Sequence, residues 1–208
     1  ETLSATGLDS DDYDADLISG ITKLVAAAAS GANDVTFKNV TAANSDVLVT
    51  GTEGVILTLK VDGSADTVDV EYRTAAGAGL TVAGQTNVTQ YETVNITNGS
   101  PIGDITTGAV TNASTTTMTF KGSKGINLGT SSSTVLSSVD ASGMTGTSGL
   151  VMSSNSGTVL FPATIIGSPN GADTLIGGSA ADTISGGGGI DTISGAAGAD
   201  IIKGEAGN

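Results

Sequence analysis

From residue 168 onward the chain repeats every nine residues. Asp173, Asp182, Asp191 and Asp200 stand in unbroken register, each two residues ahead of an aliphatic side chain: Leu175, Ile184, Ile193 and Ile202. The four nonapeptides open on Ser168-Pro169, Gly177-Gly178, Gly186-Gly187 and Gly195-Ala196, and a fifth starts at Gly204 and stops at Asn208. Six residues rich in glycine make a turn and three make a strand, so two nonapeptides complete one coil. Such a register closes into a parallel stack of coils and little else.

Coil on coil, residues two repeats apart lie one strand spacing apart, about 4.8 Å. Asp173 then sits over Asp191, and Asp182 over Asp200. Two bare carboxylates at that separation repel by a few kcal/mol at an effective dielectric of about 20. A hard divalent cation between them reverses the sign. Calcium takes six to eight oxygens at about 2.3–2.6 Å, and glycine turns let backbone carbonyls complete such a shell. The expected cofactor is therefore Ca2+. The candidate ligands are the carboxylates of Asp173, Asp182, Asp191 and Asp200 with the backbones of Pro169, Gly171, Gly178, Ala180, Gly186, Gly188, Gly195 and Ala197. Leu175, Ile184, Ile193 and Ile202 are expected to point inward and fill a thin core. Pro169 and Ala180 depart from the glycine pattern, which marks the first two turns as the irregular ones.

Charge agrees with a cation as ligand. The chain carries 21 acidic and 7 basic residues, a net charge of −14, which repels nucleic acid phosphates and anionic lipid alike. Hydrophobic residues reach 38% but aromatics only 3%, with no Trp. Val, Ile, Ala and Thr suit thin β layers better than one thick globule. No Cys is present, so a metal is the natural staple. No apolar run approaches the ~18 residues of a membrane span, and no basic segment followed by an apolar one marks a signal peptide. Because the chain stops inside a repeat, it reads as a piece of a longer protein.

Three segments are expected. Residues 1–32 place Asp9, Asp11, Asp12, Asp14 and Asp16 before Leu17, Ile18, Ile21, Leu24 and Val25 at helical spacing, with Ala26 to Ala29 and Gly31 after them, which predicts a short N-terminal helix. Asp12, Asp14 and Asp16 lack the Gly and Glu of an EF-hand loop and read as a solvated helix start. Residues 33–166 predict short strands at about ten-residue spacing: Val35–Lys38, Val47–Thr50, Val55–Val61, Thr67–Tyr72, Leu80–Ala83, Glu92–Ile96, Thr115–Lys121, Val135–Val139, Leu150–Ser153 and Val159–Phe161. Residues 167–208 are the repeats. The fold class is all-β, a solenoid- or sandwich-like region followed by a calcium-binding parallel β-roll. Gly63-Ser64-Ala65-Asp66-Thr67-Val68 echoes the second repeat, with Asp66 as an Asx-type turn residue opening the strand to Tyr72.

Catalysis has little to work with. The absence of His removes HExxH zinc chemistry and Ser-His-Asp triads, and no G-x-S-x-G elbow occurs. A carboxylate-only glycosidase or lyase would have to work through Asp104, Glu53, Glu71 or Glu92, which are scattered among strands without pairing. No enzyme activity is expected.

The nonapeptides resemble the repeats-in-toxin (RTX) class exported by type I secretion in Gram-negative bacteria. Gly79-Leu80-Thr81-Val82, Tyr91-Glu92-Thr93-Val94-Asn95-Ile96 and Val139-Asp140-Ala141-Ser142-Gly143-Met144-Thr145-Gly146, in that order after the Asp66 phrase, resemble RTX-type surface-layer proteins. The resemblance implies a secreted structural protein at the cell surface that self-associates into a lattice with calcium. An RTX adhesin or carbohydrate-binding module, with cell-surface polysaccharide as partner, is the alternative, though aromatic platforms for sugar stacking are scarce. Neither reading involves nucleic acid or membrane insertion.

Overall fold

A computed structural model of the chain describes residues 2–5, 12–15, 22–27, 34–41, 46–52, 54–74, 79–131, 133–152 and 162–207. The described strands all pair in parallel and stack as a solenoid. A ten-stranded sheet runs its length. Its strands are β1 (Thr2–Ala5), β3 (Lys23–Ala26), β5 (Asp46–Val49), β7 (Thr67–Tyr72), β10 (Thr93–Asn98), β13 (Thr117–Gly122), β15 (Ser138–Met144), β17 (Thr164–Ile166), β19 (Thr183–Ser185) and β21 (Ile201–Lys203).

Two shorter sheets close the coils. The second, six-stranded, holds β8 (Leu80–Thr81), β11 (Ile105–Thr106), β14 (Ile126–Leu128), β16 (Ser148–Met152), β18 (Ala172–Ile176) and β20 (Thr192–Ser194). The third, five-stranded, holds β2 (Asp12–Asp14), β4 (Val35–Val40), β6 (Val55–Leu59), β9 (Thr86–Asn87) and β12 (Val110–Thr111). The early coils thus pair the first and third sheets, the middle ones use all three, and the last pair the first and second. Coil length explains the change. A coil takes 26 residues from Asp66 to Glu92 but 18 from Asp182 to Asp200, and the shorter coil has no residues left for a third side.

Period-two burial builds the core. Val68, Val94, Met118, Val139, Ile165, Ile184 and Ile202 form one row across adjacent strands of the first sheet. All but Ile202 are buried, each contributing about 1.5–3 kcal/mol on leaving water. Leu175 and Ile184 point inward as expected, and Ile193 packs partly buried against the core. Ile202, on the edge strand β21, is 50% exposed.

The expected N-terminal helix is corrected. Lys23–Ala26 is strand β3, paired with β1 and β5, and Asp12–Asp14 is strand β2. Leu24 and Ala26 are buried while Lys23 and Val25 are only half-buried, a period of two that the helical spacing concealed. Asp9, Asp11, Asp16, Leu17, Ile18, Ile21, Ala28, Ala29 and Gly31 lie outside the described residues, as do Glu53, Asn208 and the expected strand Val159–Phe161. The strand expected at Val135–Val139 starts at Ser138 and runs on to Met144.

Candidate metal centre

The repeat turns occupy two opposite flanks. Residues 167–171 and 186–190 lead from the first sheet into the second, and residues 177–181 and 195–199 lead back. Each flank therefore stacks two turns and two aspartates. Asp173 and Asp191 share one flank, Asp182 and Asp200 the other.

One hydrogen-bonding rule covers all four carboxylates. Asp191 Oδ1 accepts the backbone N–H of Asp173 at 3.0 Å, and Asp200 Oδ1 accepts that of Asp182 at 2.9 Å. Asp182 Oδ1 accepts from Ala163 N–H at 2.8 Å, and Asp173 Oδ1 from Leu150 N–H. The other oxygen serves the turn itself. Asp173 Oδ2 takes the N–H and hydroxyl of Ser168 at 2.7 and 2.8 Å, and Asp182 Oδ2 takes Gly178 N–H at 2.6 Å.

The backbones that were expected to supply carbonyls lie in stacked pairs. Gly178 carbonyl accepts Ala197 N–H at 3.1 Å. A β-carbon on Gly198 would stand 2.1 Å from Ala180 O, one on Gly188 2.3 Å from Pro169 O, and one on Gly189 2.3 Å from Gly171 O. Gly186 and Gly195 pack against their own aspartates, since a β-carbon on Gly195 would lie 2.2 Å from Asp200 Oδ2. No β-carbon fits at Gly188, Gly189 or Gly198, where one turn meets the next. The later turns share one backbone shape: the second residue (Gly187, Ala196, Glu205) and the fourth (Gly189, Gly198, Gly207) all have positive φ. In the first turn Pro169 forbids that conformation, and Ala180 resists it at the fourth place of the second turn.

Asp173 and Asp182 are 2% and 1% exposed. Among the described residues no Lys or Arg ion-pairs with any of the four aspartates; the cations Lys23 and Arg73 pair instead with Asp46 and Glu71. Burial pushes the Asp173 carboxyl above its usual range, against the hydrogen bonds from Leu150 and Ser168, and the charge of Asp191 pushes it further. Buried anions without a counter-cation are costly. The donor set is all oxygen and fits a hard divalent cation. Among the described residues no three acidic side chains converge on one point, so such an ion would draw on turn carbonyls as well as on the paired aspartates.

A model of the RTX calcium-binding nonapeptide repeat, in four copies, matches residues 170–202 and 185–208. These are RTX calcium-binding repeats. The RTX repeats bind calcium, and proteins that carry them are typically secreted. No curated protein and no solved structure matches the chain.

Outside the RTX repeats, carboxylates do similar backbone work, which sequence reading had expected only at the Asp66 turn. Asp34 Oδ1 accepts Gly54 N–H at 3.0 Å and Gln85 N–H at 2.9 Å, tying coils of the third sheet. Glu92 Oε2 accepts Asp66 N–H at 2.8 Å, and Asp66 Oδ2 accepts Gly63 N–H at 2.5 Å at the turn that opens β7. Asp104 Oδ1 accepts Gly125 N–H at 2.7 Å beside an open groove of about 300 Å³ on the second sheet. Glu71 meets Arg73 and Lys23 on the outer face of the first sheet. Glu71, Glu92 and Asp104 thus stand on different sheets or flanks. Glu205 was also missed; its carboxylate meets the Ser185 hydroxyl in the last turn.

Proposed function

We propose that the chain is a calcium-dependent extracellular structural protein, a subunit of a surface-layer lattice, and not an enzyme. The observation that carries this reading is the continuous first sheet, which joins the non-repeat coils to the RTX repeats as one stack. A long parallel stack is a building element, and its RTX end gains order from an ion abundant outside cells. Calcium bound only by the folded state contributes about 2.7 kcal/mol per site at a hundredfold excess over its dissociation constant. Two such sites, one per flank, turn a marginal roll into a stable one. Lattice contacts then form where calcium bridges carboxylates of neighbouring molecules, and Asp46, Asp69 and Asp140 on the outer face of the first sheet supply the charge for it. The order of phrases along residues 63–146 that resembles RTX surface-layer proteins supports the same assignment, with type I export from a Gram-negative cell.

The test is a calcium titration followed by circular dichroism and light scattering, with EGTA reversal and magnesium as control. A calcium-specific gain of β signal with particle growth is expected. Growth with unchanged calcium dependence after Asp46, Asp69 and Asp140 are replaced by Asn would sink the carboxylate bridges. A gain of β signal without growth would favour an RTX adhesin, for which the groove beside Asp104, lined also by Ile126, Asn127, Thr147, Ser148 and Val151, offers a place for a polyhydroxylated ligand.

A further inference from the structure

The four repeat aspartates obey one rule but have two kinds of partner. Asp191 and Asp200 accept from Asp173 and Asp182, which are repeat residues. Asp173 and Asp182 reach back 23 and 19 residues, to Leu150 in β16 and to Ala163 just before β17. Both of those partners belong to coils without the nonapeptide pattern, and both are buried, at 0% and 5% exposure. The two contacts sit on opposite flanks, so the junction is held at both corners.

We infer that Asp173 and Asp182 are coupling residues, which transmit calcium-dependent order from the RTX repeats into the non-repeat coil of β15, β16 and β17. The inference rests on the reading that the repeats fold on calcium, and extends it to chain that has no repeat of its own. Each carboxylate is bidentate: Oδ2 is fixed by its own turn and Oδ1 holds the upstream backbone. Fixing the turn therefore fixes the acceptor for Leu150 or Ala163. When the repeats are unfolded, both N–H groups lose that acceptor, and β16 and β17 become sheet edges whose groups face water. Stacked coils exchange stability with their nearest neighbours, so the effect declines toward β1.

Backbone hydrogen exchange on the full chain, in calcium and in EGTA, tests this. Calcium is expected to slow the amides of Leu150, Ala163 and β15–β16 at least about tenfold, and those of β1–β4 little. Asp182→Ala and Asp200→Ala each remove one carboxylate from the same flank, but only the first removes the acceptor for Ala163. At saturating calcium, Ala163 should exchange about tenfold faster in Asp182→Ala than in Asp200→Ala, and Asp182→Asn, which keeps Oδ1, should recover part of the difference. Equal rates in the two alanine variants overturn the inference. Should Asp182→Ala fail to fold, the unaltered chain decides: slowed repeat amides with Leu150 and Ala163 unchanged refute the coupling while leaving calcium-driven folding intact. No response even in the repeat amides refutes calcium-driven folding itself, and the coupling with it.

Discussion

Asp173, as a proposed calcium ligand, should favour opposite conditions with and without the ion. Burial raises its pKa, so in the folded state it holds a proton more tightly than in the unfolded chain. Its stabilising contribution is then complete below the ordinary carboxylate range and is lost as pH rises through its raised value. In calcium-stripped buffer, acidification from neutral pH should therefore increase the contribution of Asp173 to the stability of the repeats. In calcium the order should reverse, because the ligand role proposed for Asp173 needs the unprotonated carboxylate. Melting temperatures measured against pH in both buffers should converge toward acid, and an Asp173→Asn variant should flatten the calcium-free curve. An unchanged curve in that variant would mean that its burial is relieved by some other route. The four aspartates were legible in the sequence because period nine is rare by chance. Glu92, Asp34 and Glu205 were not, because one acid at a coil corner has no period to betray it.

At the level of strands, alternation was legible and register was not. Thr67–Tyr72 was readable to the residue, since its apolar side chains alternate without interruption. Two-residue strands such as β9, β11 and β12 carry too few side chains for any pattern, and exist because longer neighbours dictate where the coil must turn. Tyr72 joins two sheets across the core: its hydroxyl meets Thr86 Oγ1 at 2.6 Å, linking β7 to β9. Burial pushes its pKa up to about 12, and the hydrogen bond to Thr86 opposes the shift. Tyr72→Phe should cost about 1–2 kcal/mol, since it leaves the Thr86 hydroxyl buried without that partner. Chemical denaturation in calcium checks this, and a loss below ~0.3 kcal/mol would show that the hydroxyl pair contributes nothing net.

Over the whole molecule, charge and stacking oppose each other. A net charge of −14 strains a compact state through self-repulsion, and salt at about 1 M shortens the screening length to about 3 Å. High NaCl without calcium should therefore raise the stability of the non-repeat coils yet leave the RTX repeats unprotected in hydrogen exchange. Magnesium should do no better, because it demands near-octahedral geometry and gives up water reluctantly. Repeats protected equally by NaCl and by calcium would reduce the role of calcium to screening.

The nonapeptide register alone was enough to specify the parallel stack at the C-terminal end, its calcium chemistry and the flank on which each aspartate lies, because an exact period leaves only one way to superpose the coils. It did not determine the architecture upstream, where solenoid and sandwich shared the same short alternating strands, nor the state of Lys23–Ala26, whose apolar spacing satisfied helix and strand equally. Those were decided by neighbours: Leu3 and Val47 flank Leu24 in the sheet, and a strand buried between two others gains backbone pairing that a lone helix there would forgo. Contacts between coils of unequal length carry no period, so only the folded stack fixes them.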